Sequence, residues 1–143
     1  MKTKFLLLTV LTVCSISLFA QKKEKDKVLA SKIYTIELTE TAAKKPKQLS
    51  DEISFKAEKL YSKFMTTEHH FQASGYTVSV DSTSTPPAIT FSSEGKNPDS
   101  ETIKWDGTIT GEDAEGTAVI TTKKGKATEY TFTGTLKAKP GKK

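Results

Sequence analysis

Cysteine and arginine are nearly or wholly missing from this chain: Cys14 is its one cysteine, and every one of its 22 basic residues is lysine. Cys14 falls inside an expected export signal, so the mature chain has no thiol. It forms no disulfide even in a compartment that permits one, and it has no cysteine nucleophile. Without a guanidinium there is no planar fork to grip phosphate or guanine, which argues against a nucleic-acid partner. The sequence also contains no Gly-x-Ser-x-Gly turn and no glycine-rich phosphate loop, the two motifs that would point to a serine hydrolase or a nucleotide site. Histidine is limited to His69 and His70. Read on a strand, these neighbours face opposite sides, so only Glu68 and His70 share a face, and two ligands fall short of a metal centre. No cofactor or metal is expected.

What is present begins with an export signal over residues 1–20. Lys2 and Lys4 precede an apolar run that ends at Leu18-Phe19-Ala20, with Gln21 following, the order of a signal peptide with a small residue at the cleavage point. Its apolar run, interrupted by Thr9, Thr12, Ser15 and Ser17, is shorter than the ~20 residues of a membrane span. Leu11 and Cys14 have the spacing of a lipoprotein signal, but Val13 stands where a small residue belongs and Phe19-Ala20 prolongs the apolar run past the cysteine. The product is therefore expected in the periplasm or outside the cell, with no stable membrane insertion. A basic leader over residues 21–30 and a basic tail over residues 138–143 flank one domain, residues 31–137. Residues 28–136 carry 12 lysines against 15 acids, so the net positive charge belongs to the two ends and the body is mildly acidic.

The domain reads as strands. Trp105-x-Gly107-Thr108-Ile109 returns as Phe132-x-Gly134-Thr135-Leu136, and around Phe132 apolar residues alternate with Thr131, Thr133 and Thr135, the period of a sheet with one buried face. Turn residues at Gly111-Glu112-Asp113 and Lys123-Lys124-Gly125-Lys126 divide residues 105–136 into a three-stranded meander. Alternation also marks residues 33–39 and 75–81, and a shorter strand covers residues 88–93. Residues 41–49, with Pro46 among lysines, read as a solvated loop. Residues 51–71 fit two descriptions. One is a hairpin turning at Glu58-Lys59, with strands near 52–57 and 60–67; the other is a helix over residues 51–66 capped by Ser50. The hairpin gives eight strands in sequence, predicting an all-β, antiparallel up-and-down barrel. A β-sandwich, or an α+β fold with the helix, is the alternative.

From residue 33 to 137 the chain resembles small secreted proteins of Bacteroidetes-type bacteria. The likeness lies in the Asp-Glu-Ile-Ser-Phe-Lys stretch at residues 51–56 and the Trp-x-Gly-Thr repeat at Trp105, and it implies a lipocalin-like barrel. It supplies no catalytic residues. The acid pairs Asp51-Glu52 and Glu112-Asp113 read as carboxylates at strand or turn ends that keep loops solvated, and the inward rows read as almost wholly apolar, so no enzyme is expected. The expected function is binding, either of a small apolar ligand in a pocket formed by Trp105, Gly107, Tyr130, Phe132 and Gly134, or of an envelope partner. A hydrolase or isomerase in the barrel mouth, or a purely structural protein acting through its outer face, is the alternative.

Overall fold

In the computed structural model, which describes residues 27–138, eight antiparallel strands close into a barrel in sequence order: β1 (Ile33–Glu40), β2 (Gln48–Lys56), β3 (Lys59–Ser62), β4 (Ser74–Asp81), β5 (Ala88–Lys96), β6 (Thr102–Thr110), β7 (Asp113–Thr121) and β8 (Ala127–Leu136). One short helix, α1 (Lys63–His69), joins β3 to β4. The expected up-and-down barrel is the observed fold. The export signal over residues 1–20, most of the leader and the tail beyond Ala138 lie outside the described residues.

The period-two pattern explains the interior. Tyr34, Ile36 and Leu38 on β1, Ile53 and Phe55 on β2, Trp105 and Ile109 on β6 and Phe132 on β8 are all buried, while their chain neighbours face out. Aromatic rings fill the centre. Phe55 lies edge to face with Tyr76 at 4.9 Å and Phe91 at 5.0 Å, and Trp105 is tilted against Phe132 at 5.6 Å, within the range that favours such ring pairs. Leu29 is also fully buried, held at one end where the Ser31 N–H donates to the Phe55 carbonyl (2.7 Å) and the Phe55 N–H to the Lys32 carbonyl (3.0 Å).

The structure bears out the hairpin for residues 51–71 and not the helix over residues 51–66, with a different, short helix after it. The hairpin is present, and its turn falls at Ala57 and Glu58, both with positive φ (50° and 59°), the twist that a two-residue hairpin needs. The third strand, expected to reach residue 67, stops at Ser62, and α1 follows at once. Its cause is local chemistry that the alternation does not reveal. Ser62 is the N-cap, its hydroxyl accepting from the Met65 N–H at 3.0 Å. The second strand begins at Gln48, so the loop expected over residues 41–49 is shorter than predicted.

Asp51 is a second correction. Rather than solvating a strand end, it is buried on β2, where it accepts from the Ser62 hydroxyl (2.6 Å), the Phe64 N–H (2.8 Å) and the Glu52 N–H (2.7 Å). The first turn of α1 has no acidic residue of its own. Asp51 therefore supplies from β2 both an acceptor for free helix donors and a negative charge beside the helix N-terminus. The histidines change setting as well: His69 ends α1, and His70 is its C-cap in the left-handed region (φ 57°). Asn97 holds that end, its side-chain amide donating to the His69 carbonyl at 2.9 Å. With Asp51, Ser62, Ser93 and Asn97 all buried, the inward rows are less apolar than the sequence suggests.

Candidate functional site

Four of the five expected pocket residues meet at mid-barrel. Across β7, Trp105 and Tyr130 flank Ala118 in one cross-strand row, and Gly107, Gly116 and Phe132 form the next. Space at the glycines is taken by rings. A Cβ on Gly107 would lie 2.5 Å from Phe91 Cε1 and 2.9 Å from Phe132 Cζ, whereas one on Gly116 would first meet the β6 backbone, at the Asp106 carbonyl and 2.6 Å from Gly107 Cα, and then lie 2.8 Å from the same Phe132 atom. These glycines are needed because the aromatic rings pack directly on the strand backbone. Gly134 likewise admits a neighbouring strand, β1, where a Cβ would meet the Thr35 carbonyl and lie 2.6 Å from an Ile36 methyl.

Burial raises the phenol pKa of Tyr34, and burial followed by the nearby Glu40 charge raises that of Tyr130. The Tyr34 hydroxyl has no hydrogen-bond partner among the described residues. Asp81, exposed at the end of β4, has its carboxyl pKa lowered by the hydrogen bonds it accepts from the Thr83 hydroxyl (2.6 Å) and N–H (2.9 Å).

The open hollows lie on the opposite side of the same glycines. One, of about 920 Å³, spans β4 to β8, with Gly107, Gly116, Phe91 and Phe132 in its lining. A second, of about 710 Å³, crosses β8 and β1 at Gly134 and shares Thr108, Glu115 and Thr133 with the first. Strand register shows why their rims are alike. A cross-strand row runs Ser79, Thr90, Thr108, Glu115, Thr133, Glu37 and Ser50 through seven strands. On one side of it run Thr77, Ser92, Asp106, Thr117, Thr131, Thr39 and Gln48, and on the other Asp81, Ala88, Thr110, Asp113, Thr135, Thr35 and Glu52. Nearly every position is a hydroxyl or a carboxylate, and none is lysine.

Among these carboxylates Asp106 pairs with Lys104 (3.1 Å) and Glu52 with Lys137 (2.6 Å). Glu37, Asp113 and Glu115 form no ion pair among the described residues. The outer face thus joins donors and acceptors on threonine, acceptors on carboxylate, and a floor of strand backbone at Gly107 and Gly116. Among the described residues it holds no nucleophile, base and orienting group in hydrogen-bonded series. Among the described residues no group of three or more histidine, cysteine, aspartate or glutamate residues is placed to hold a metal ion, and no helix is long and apolar enough to cross a membrane.

Sequence reasoning singled out Thr131, Thr133 and Thr135 as an outer row, and the alternation over residues 33–39 and 75–81 also turned Thr35, Glu37, Thr39, Thr77 and Ser79 away from the apolar side. The signal for the rest was the recurrence of Ser and Thr at alternate positions of β1 and β4 to β7. Seeing them as one surface requires the register, which pairs residues up to about a hundred positions apart. No family model, curated protein or solved structure matches the chain.

Proposed function

We propose that this is an exported, non-enzymatic binding module whose contact surface is the outer face of β1 and β4 to β8. The observation supporting this reading is the opposition at Gly107 and Gly116: rings occupy the inner side, while the outer side is a wide hollow rimmed by hydroxyls. Glu37, Asp113 and Glu115, which form no ion pair among the described residues, repel polyanions, whereas threonine hydroxyls and carboxylates together match a partner rich in hydroxyl donors. The ligand class is a neutral polyhydroxyl chain, such as an uncharged polysaccharide of a cell envelope. Retention of the secreted protein in gels containing neutral polysaccharides (mannan, xylan, a β-glucan) tests this, with heparin as the polyanion. Retention by at least one neutral polymer, lost in Thr108→Lys and Thr133→Lys, is expected. Retention by heparin alone, or retention unchanged in both variants, would overturn the reading.

The unpartnered Tyr34 hydroxyl inside the barrel favours one second reading, a small apolar guest that offers it a polar group. Native mass spectrometry of protein from its own source distinguishes that case by a retained small molecule.

A further inference from the structure

The barrel has one weak seam. Every other neighbouring pair of strands is zipped over four or more residues, but β3 meets β4 only at Lys59 with Gly75 and Leu60 with Ser74. One more bond, from the Tyr76 N–H to the Glu58 carbonyl at 3.4 Å, ends the contact. Because main-chain groups alternate sides along a strand, Tyr76 fixes the direction of those that follow. The N–H and C=O groups of Val78 and Val80 point the same way, towards the open side, and among the described residues none of them has a partner there. Val80 is also 45 % exposed, the highest value among the exposed large hydrophobic residues. An edge of this kind, without lysine or proline over residues 77–81 and in unbroken register with β5, is a template for another strand.

We propose that the occupant is the same edge of a second copy, the two β4 strands running antiparallel about a two-fold axis at Ser79. The edge is self-complementary in that register. Val78 faces Val80 of the second copy, and because both carry outward main-chain groups, the two exchange N–H and C=O bonds in both directions. The same pairing sets the exposed Val80 against the half-buried Val78, on the face that carries the buried Tyr76. On the other face Ser79 meets its own copy and Thr77 meets Asp81. Asp81 accepts both of its Thr83 bonds on Oδ1, which leaves Oδ2 for the Thr77 hydroxyl of the second copy. Asp81 is the one charged residue over residues 77–81, and this register holds its two copies about 14 Å apart, so no like charges oppose each other. Moving the axis to Val80 brings the two Asp81 backbones within about 9 Å. Moving it to Val78 pairs Val80 with Tyr76, whose N–H is already bonded to Glu58. Residues 77–81 are few against the roughly 20 to 30 residues a side of a stable interface, so the dimer forms and dissociates with concentration. The inference does not rest on the polysaccharide reading, because what it needs is the main-chain edge of β4.

Sedimentation equilibrium of the purified protein, with amide hydrogen exchange of Val78 and Val80 followed by NMR at the same concentrations, tests the proposal. The expected result is an average mass that climbs from monomer towards dimer between about 10 µM and 1 mM, the range of a small interface, with exchange of both amides slowing in step. Val80→Lys sets a lysine at the exposed position of the edge, and this variant should stay monomeric with an unchanged circular dichroism spectrum. A monomer at every concentration, or protection of the two amides that ignores concentration, would overturn the proposal, and so would a dimer that survives Val80→Lys. Cross-linking locates the axis separately. Under oxidation Ser79→Cys should give a disulfide-linked dimer, because facing residues of a pair without main-chain bonds sit about 4.5 Å apart at Cα, within disulfide reach. Thr77→Cys, whose two copies lie about 14 Å apart, should give no more of it than the parent protein. Equal cross-linking of the two variants, or none in either, would refute the axis at Ser79.

Discussion

Asp51→Ala is expected to be the most damaging single change near α1. The carboxylate receives three donors, the Ser62 hydroxyl and the N–H groups of Phe64 and Glu52, and alanine would remove the acceptor while leaving the protein around it buried. Hydrogen bonds to a charged group are worth about 1.5 to 3 kcal/mol each, and removing one partner from a buried network costs about 3 to 5 kcal/mol in total, since the terms are not additive. For a domain whose whole stability is about 5 to 15 kcal/mol, that is a large share. Asp51→Asn separates the contributions. Its carbonyl still accepts from Phe64 and Glu52, but its amide donates to the Ser62 oxygen, so the Ser62 proton loses its acceptor, at a cost of about 1 to 2 kcal/mol. Urea unfolding followed by circular dichroism measures both; at a slope of about 2 kcal/mol per molar, the alanine midpoint falls by about 1.5 to 2.5 M. An alanine variant within about 0.5 kcal/mol of the parent would refute the role given to Asp51.

Four further outcomes are expected. Gly134→Val forces a branched side chain against the Thr35 carbonyl and Ile36 and should destabilise by about 1 to 3 kcal/mol or more, whereas the outward Thr133→Val should be nearly neutral; equal effects in thermal melts would refute the assigned faces. Tyr34→Phe removes a buried hydroxyl without a partner and should raise stability by about 1 kcal/mol, while a loss would indicate a bound guest. Because the folded-state pKa of Tyr34 is raised above the ordinary value of 10.0, its neutral form adds stability that is complete below that pH and lost as pH rises through the raised value. The phenylalanine variant should show a shallower alkaline decline in urea titrations. Intact mass of the exported form should correspond to a chain starting at Gln21, and a product starting at a lipid-modified Cys14 would contradict that cleavage point.

The barrel was legible because alternation, turn residues and strand number all pointed the same way. Trp105, Gly107, Phe132 and Gly134 were visible as a repeat with inward glycines. Their packing was not legible, since whether a glycine leaves space or admits a ring depends on Phe91, two strands from β7 and sixteen residues from Gly107 in sequence. Helix α1 was hidden for a similar reason: its seven residues carry too little periodicity, and a deciding partner, Asp51, lies on another strand. The outer face needed register above all. A threonine every second residue is ordinary in a strand, and only the alignment of seven strands turns such residues into one surface of hydroxyls and carboxylates.

The decisive measurement is NMR mapping of the backbone amides and the Trp105 indole during two titrations of the purified protein, one with neutral polysaccharide fragments and one with a panel of fatty acids and other small apolar molecules. The expected result is a saturable shift confined to outward residues such as Thr108, Glu115, Thr117 and Thr133 in the first titration, with the Trp105 indole silent in both. Saturable movement of the Trp105 indole and Phe132 with an apolar molecule, while the outer rows stay still, would contradict the account and place the function inside the barrel.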